Sequence, residues 1–247
     1  MGKYTKDELI SELYKVENFQ FFYKNRVIDF RGPRSGSEEK YTEIIAEWVI
    51  KHAGRFQTIV PIQCKNSYYS LGHDKIAETH NGTTEKHLAQ KMYRQRKMPG
   101  VGSLLDFKVP LNDKQNGGAG EIDLLVFDEE KKILRILELK HPNAEDTMLH
   151  CVLEAYSYLK LVDKEKKLIR DFNSDGNANI PEDASIVACP FVFQHKCDKD
   201  GKPIEEDTTQ YREMKVERPK LKRLMELLNV KPLFVEVTED FYTASEL

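Results

Sequence analysis

Between residues 120 and 140 the chain carries two apolar runs, Gly120-Glu121-Ile122-Asp123-Leu124-Leu125-Val126-Phe127 and Ile133-Leu134-Arg135-Ile136-Leu137-Glu138-Leu139-Lys140, separated by a polar stretch from Asp128 to Lys132. Aliphatic and β-branched runs of this length around a short polar segment predict a β-hairpin. A turn centred between Glu130 and Lys131 sets Asp123 opposite Glu138. Directly opposed residues on antiparallel strands project to one face, with Cβ atoms roughly 4.5–5.5 Å apart. Lys140 lies two residues beyond Glu138, so strand alternation turns it to the same face. Two carboxylates and a lysine then converge within an apolar hairpin. Facing like charges are destabilising, so the arrangement asks for a compensating cation, which a divalent metal would supply. A register slip of one residue would turn Glu138 and Lys140 away from Asp123.

The 247 residues suffice for one large domain with a substantial core. A net charge of −3 excludes the overall basic signature of a nucleic-acid coat protein, which leaves any phosphate contacts to local clusters. Cys64, Cys151, Cys189 and Cys197 form no C-x-x-C pair. Zinc-ribbon and dithiol chemistry are therefore not expected, and a reduced, cytoplasmic setting is. The first residues lack the apolar core of a signal peptide, and no run approaches the ~18 apolar residues of a membrane span.

Residues 5–17 predict an amphipathic helix capped by Thr5. The Gly/Pro/Ser-rich stretch 31–37 breaks the chain, and Ser37 is expected to cap a helix over 38–53. Tyr41, Ile44, Ile45, Trp48 and Val49 form the buried stripe of that helix, with Glu39, Glu43 and Glu47 along a neighbouring face. Strands are expected over 56–63 and 104–111, a helix over 84–97, and a flexible segment over 112–120. After the hairpin come a helix over 145–162, an apolar strand over 185–194, a helix over 219–228 and a strand over 233–237. This order predicts an α/β fold, with a mixed central β-sheet flanked by helices, in a single domain over 1–247.

Asp123, the hairpin, Glu138-Leu139-Lys140, a following amphipathic helix and a buried strand together resemble the PD-(D/E)xK nuclease superfamily over residues 38–195. The resemblance implies a restriction-endonuclease-like core preceded by an N-terminal helical extension (1–36) and followed by a C-terminal helix and strand (196–247). It implies a metal-dependent nuclease acting on DNA, with RNA left open as a substrate; the alternative is a nuclease-fold binding module without catalysis. Asp123, Glu138 and the Leu139 carbonyl would bind Mg²⁺ or Mn²⁺, ions that favour hard oxygen ligands. Lys140 would orient the attacking water and stabilise developing charge. The family often adds an acid from the first core helix; Glu43 is the choice here, with Glu39 and Glu47 open because periodicity does not set the helix rotation. A homodimer is compatible with the family, and no membrane partner is expected. Two positions depart from the pattern: Ile122 precedes the first acid where proline is common, and Val152-Leu153-Glu154-Ala155-Tyr156 lacks the glutamine of several exonuclease branches.

Other motifs compete. Residues 171–182 match the EF-hand loop pattern, with Asp171, Asn173, Asp175 and Glu182 as formal Ca²⁺ ligands. Pro181 and the strand that follows favour a plain turn instead. Lys86, Lys91, Arg94, Arg96 and Lys97 form a basic cluster that can track a phosphate backbone, with Tyr68, Tyr69 and Tyr93 nearby as stacking surfaces. A second basic cluster spans 212–223. His73, His80 and His87 recur every seven residues without a metal partner and read as exposed polar side chains. No nucleophile elbow or phosphate-binding glycine loop is present.

Overall fold

The local signals that start helices act where the sequence puts them. In the computed structural model, which describes residues 4–62, 64–70, 84–112, 120–162, 166–176, 178–238 and 241–246, Thr5 opens α1 (Lys6–Tyr14) with a reciprocal cap. Its hydroxyl accepts the Glu8 N–H while the Glu8 carboxylate accepts the Thr5 N–H at 2.8 Å. Two short 3₁₀ turns (Phe22–Lys24 and Arg26–Asp29) lead to α2 (Tyr41–Lys51). This helix starts later than expected. Ser37 accepts the Glu39 N–H, and an isolated bridge between Pro33 and Lys40 closes a turn over the residues between them and leaves Lys40 extended, so the helix begins at Tyr41. The strand expected over 56–63 is absent from its described part: Ala53–Thr58 is a 3₁₀ helix, and the chain beyond it is tied by Ile62 N–H to the Leu161 carbonyl.

Thr84 caps α3 (Glu85–Arg94), which is followed by β1 (Lys97–Met98), β2 (Gly102–Pro110), β3 (Glu121–Asp128) and β4 (Ile133–Leu139). Residues 113–119, within the segment expected to be flexible, lie outside the described residues. Next come α4 (Met148–Leu161), capped by Thr147, α5 (Lys167–Ser174) and β5 (Ser185–Phe193). A small hairpin of β6 (His195–Cys197) and β7 (Pro203–Asp207) precedes α6 (Thr209–Met214), α7 (Pro219–Leu228), β8 (Leu233–Thr238) and β9 (Phe241–Ser245). The elements α5, α6, β1, β6, β7 and β9 lie outside those predicted from the sequence.

Seven strands form one mixed sheet in the order β1-β2-β3-β4-β5-β8-β9. Its centre, β4-β5-β8, is parallel and its flanks are antiparallel. On one face Leu125, Phe127, Leu134 and Ile136 pack with Val152 and Leu153 of α4, in a core that continues through α2 to the N-terminal segment. In that segment the rings of Phe19 and Phe22 stack at 5.1 Å, and Phe22 stacks on Trp48 at 5.9 Å. On the other face Leu124, Val126, Leu137, Leu139 and Phe191 pack with Ala89, Met92 and Tyr93 of α3. The sheet curls until its edges meet. Ala244 N–H donates to the Pro99 carbonyl, and the Gln95 amide exchanges two hydrogen bonds with the Tyr242 backbone, at 2.7 and 2.9 Å. Gly100 lies on this seam at φ +80°, where a Cβ would sit 2.1 Å from the Ala244 oxygen. Among the described residues no helix is long and apolar enough to cross a membrane.

Candidate active site

The hairpin register follows from its alternation. Leu124 pairs with Leu137, Leu125 with Ile136 and Phe127 with Leu134, so the next pair in the same register is Asp123 with Glu138. Both acids share the face of Leu125 and Ile136, beneath α4. Asp123 is 3% exposed and Glu138 5%. One Asp123 oxygen accepts the Leu139 N–H at 2.8 Å and the other accepts Lys108 of β2. Lys108 stands between the pairs Phe107–Leu124 and Val109–Ile122 in a left-handed conformation, φ +51°. That conformation is uncommon for a residue with a side chain, and here it belongs to a group that reaches into the site.

Lys140 is anchored by its N–H, which extends the β4–β5 ladder to the Phe191 carbonyl at 3.0 Å. Its ammonium bridges Glu138 Oε1, at 3.2 Å, and Glu154 Oε2 of α4. The other Glu138 oxygen, Oε2, is buried with no hydrogen-bond partner among the described residues. Glu154 also faces the His150 ring at 3.5 Å, and that ring meets Asp29 at 2.8 Å. At the N-terminus of α3, Glu85 accepts the His141 N–H at 3.0 Å, which ties this helix to the residue after Lys140.

Burial pushes the Asp123 carboxyl up, and Lys108 and the Leu139 N–H only partly offset it. Burial, then the neighbouring Asp123 and Glu154 charges, holds the Glu138 carboxyl well above the ordinary carboxylate range. Burial alone would lower Lys140, but Glu138 and Glu154 prevail and its ammonium is held well above the usual lysine value. The Lys140 ammonium is thereby favoured as a cation and donor. Glu154 goes the other way: burial would raise it, yet the bonds from His150 and Lys140 keep it low.

The structure brings Asp123, Glu138, Leu139 and Lys140 together but not Glu43. The Glu43 carboxylate accepts the Lys220 and Leu221 N–H groups at 3.0 and 3.1 Å, capping the start of α7. Glu39 is held by Arg34 and Lys6, and Glu47 by Lys51. The additional acid at the site is Glu154, from the helix after the hairpin. Sequence reasoning missed it and Lys108. The signal for each was a charge inside an apolar element, in α4 and β2.

Lys86, Lys91, Arg94, Arg96 and Lys97 are exposed on and just after α3. The aromatic platforms expected beside them are not available: Tyr68 and Tyr93 are buried in the core, and Tyr69 lies edge-on against Phe172. The Arg96 guanidinium covers Tyr93 at 4.5 Å. His87 meets the Thr84 hydroxyl at 2.8 Å, while His73 and His80 lie outside the described residues. The formal calcium loop begins inside α5. There Asp171 accepts the Tyr68 N–H and pairs with Lys167, and Asn173 bonds the Ile180 backbone twice, so these groups are turned to separate partners. Among the described residues, Asp29, Asp146 and His150 form a group close enough to hold a metal. Comparison with protein-family models, curated proteins and solved structures finds no match for this chain.

Proposed function

We propose that the chain is a metal-dependent phosphodiester hydrolase acting on DNA, with a restriction-endonuclease-like core made of α2, β2–β4, α4 and β5. The observation that carries this reading is a buried pair of facing carboxylates, one with an oxygen that has no partner, beside a lysine fixed as a cation. Such a donor set suits a hard divalent cation. Asp123 and Glu138 would hold Mg²⁺ or Mn²⁺, with the Leu139 carbonyl as the backbone ligand the family resemblance implies. A bound ion of this kind neutralises phosphoryl charge and acidifies a water molecule. Lys140, charged across the working pH range, donates to the attacking water or to the charge that develops on phosphate. Glu154 positions Lys140 from the opposite side. Lys86, Lys91, Arg94, Arg96 and Lys97 provide exposed charge for the phosphate backbone on the helix whose first residue contacts His141. Four cysteines without a disulfide suit a reduced compartment such as the cytoplasm.

One observation favours a second reading, a nuclease-fold module that binds without cleaving. Lys108 and Lys140 already balance charge at the acids, as a retired site would require. The two readings separate in a cleavage assay with Mg²⁺ or Mn²⁺ on single-stranded, duplex and branched DNA. The hydrolase reading expects cleavage that falls about 10²–10³-fold in Lys140→Ala. Equal activity in that variant would rule out the mechanism, and binding without cleavage would favour the silent module.

A further inference from the structure

Where α2 begins, beside α6 and the start of α7, the surface holds a cleft of about 230 Å³. Four cationic side chains from separate segments line it: Arg31 ahead of α2, Lys40 at its N-cap, Arg212 on α6 and Arg218 at the N-cap of α7. Two carboxylates share the cleft and both are engaged. Glu145 pairs with Arg31 at 2.9 Å, and Glu213 accepts the Met148 N–H at 2.7 Å. Four cations against two acids leave an excess of positive charge in a concave site.

Arg218 distinguishes this cleft from a solvated basic face. Its Nη1 donates to the Glu217 carbonyl at 3.2 Å, but its Nε is buried and has no hydrogen-bond partner among the described residues, so this edge of the guanidinium has given up water without gaining an acceptor there. A buried donor in that condition is costly and calls for a ligand that accepts. The N-terminus of the eleven-residue α2 opens here too, because Lys40 offers it no side-chain cap. Its Tyr41 N–H already donates to the Gly32 carbonyl and its Glu43 N–H to the Lys40 carbonyl, so what the helix brings to the cleft is its positive dipole end, which favours an anion. Thr42 and Thr209 complete the lining, the Thr209 hydroxyl donating to Glu145 at 3.5 Å. Burial pushes the Glu213 carboxyl up despite the guanidinium groups around it, which weakens its opposition to an incoming anion.

We propose that this cleft binds a phosphate group, held by the Arg218 and Arg212 guanidinium groups against the start of α2. Planar guanidinium donors match phosphate oxygens in pairs, and convergent cations with a helix terminus suit a doubly charged tetrahedral anion better than a carboxylate. The phosphate can come from a nucleic-acid strand or from a small phosphorylated molecule. The inference stands without the hydrolase reading, since none of the cleft residues belongs to the Asp123–Glu138–Lys140 site.

The test is thermal denaturation of the full chain in increasing inorganic phosphate, against sodium chloride of equal ionic strength. A saturable rise in Tm beyond the chloride control is expected. In Arg218→Gln and Arg212→Gln the apparent Kd should weaken by about tenfold or more, as loss of a charge-assisted bond implies, while Lys222→Gln on the exposed face of α7 should match wild type. Arg218→Lys keeps the charge without the Nε donor and should fall between; circular dichroism checks that each variant is folded. Competition between phosphate and a single-stranded oligonucleotide, in the Asp123→Asn background, would assign the phosphate to a strand, and its absence would assign it to a small molecule. No rise beyond chloride, or an equal rise in both arginine variants, would overturn the proposal.

Discussion

Glu138 sits in an environment that works against its charge. It lies under α4, opposite Asp123 and near Glu154, and accepts a hydrogen bond from Lys140. Its folded pKa is raised, so the folded chain keeps this proton at a pH where the unfolded chain, near 4.3, has already lost it. The cost of ionising Glu138 is therefore absent below about pH 4.3, grows as pH rises toward the folded value, and is complete above it. Glu138→Gln should accordingly be more stable than wild type at neutral pH without divalent ions, by on the order of 1–2 kcal/mol, with the advantage shrinking as pH falls toward 4. Urea denaturation across this range measures it, and a variant less stable at neutral pH would sink the account. The facing pair was legible in the sequence because two-residue alternation leaves one register that buries Leu125 and Ile136 together. Glu154 and Lys108 are marked in the sequence only as charges inside apolar elements; that they reach the site is not legible there, because the face a helical charge presents depends on rotation, and Lys108 adopts a left-handed backbone conformation that no periodicity encodes.

Among the elements, α7 shows how a side chain can satisfy a helix from a distance in sequence. Pro219 at its start has no N–H to satisfy, and Glu43 of α2 accepts the next two. A carboxylate at this place both caps the helix and meets its dipole. Glu43→Ala should therefore lower stability by about 1–2 kcal/mol while leaving metal-dependent cleavage at the wild-type rate at temperatures where the variant is folded. A large rate loss with unchanged stability would return Glu43 to the active site. The elements that could be read beforehand were those with a strong apolar period or a clear cap: α1, α2, α3, β2, the hairpin, α4, β5, α7 and β8. The others had weak or misleading local signals. The hairpin β6–β7 is short and mostly exposed, so it has no buried face to mark it, and the Asn/Asp/Gly pattern over 171–182 concealed the end of α5. The apolar run from Phe56 predicts a strand, yet Phe56 is buried by ring contacts with Phe19 and Phe22, which a helical turn makes as well.

At the scale of the whole molecule, the N-terminal segment belongs to the core on which α2 rests. Leu9, Leu13, Phe19, Phe22, Val27 and Ile28 are all buried in it. At roughly 1.5–3 kcal/mol for each buried apolar side chain, their combined burial rivals the ~5–15 kcal/mol by which a domain is stable. Removing residues 1–36 should abolish cooperative thermal unfolding; a truncated chain that melts as sharply as the full one would show that the segment is an appendage. The meeting of the sheet edges has a different consequence. An open sheet offers two rows of unsatisfied backbone groups to any strand that passes, whereas here Gln95 spends its amide on Tyr242 and Gly100 lets the strands close. Gln95→Ala and Gly100→Ala should pry that contact apart, and light scattering after mild warming should register chains adding to one another by their margins. The glutamine and the glycine thus act as a clasp that keeps each copy of the chain from becoming the template for the next.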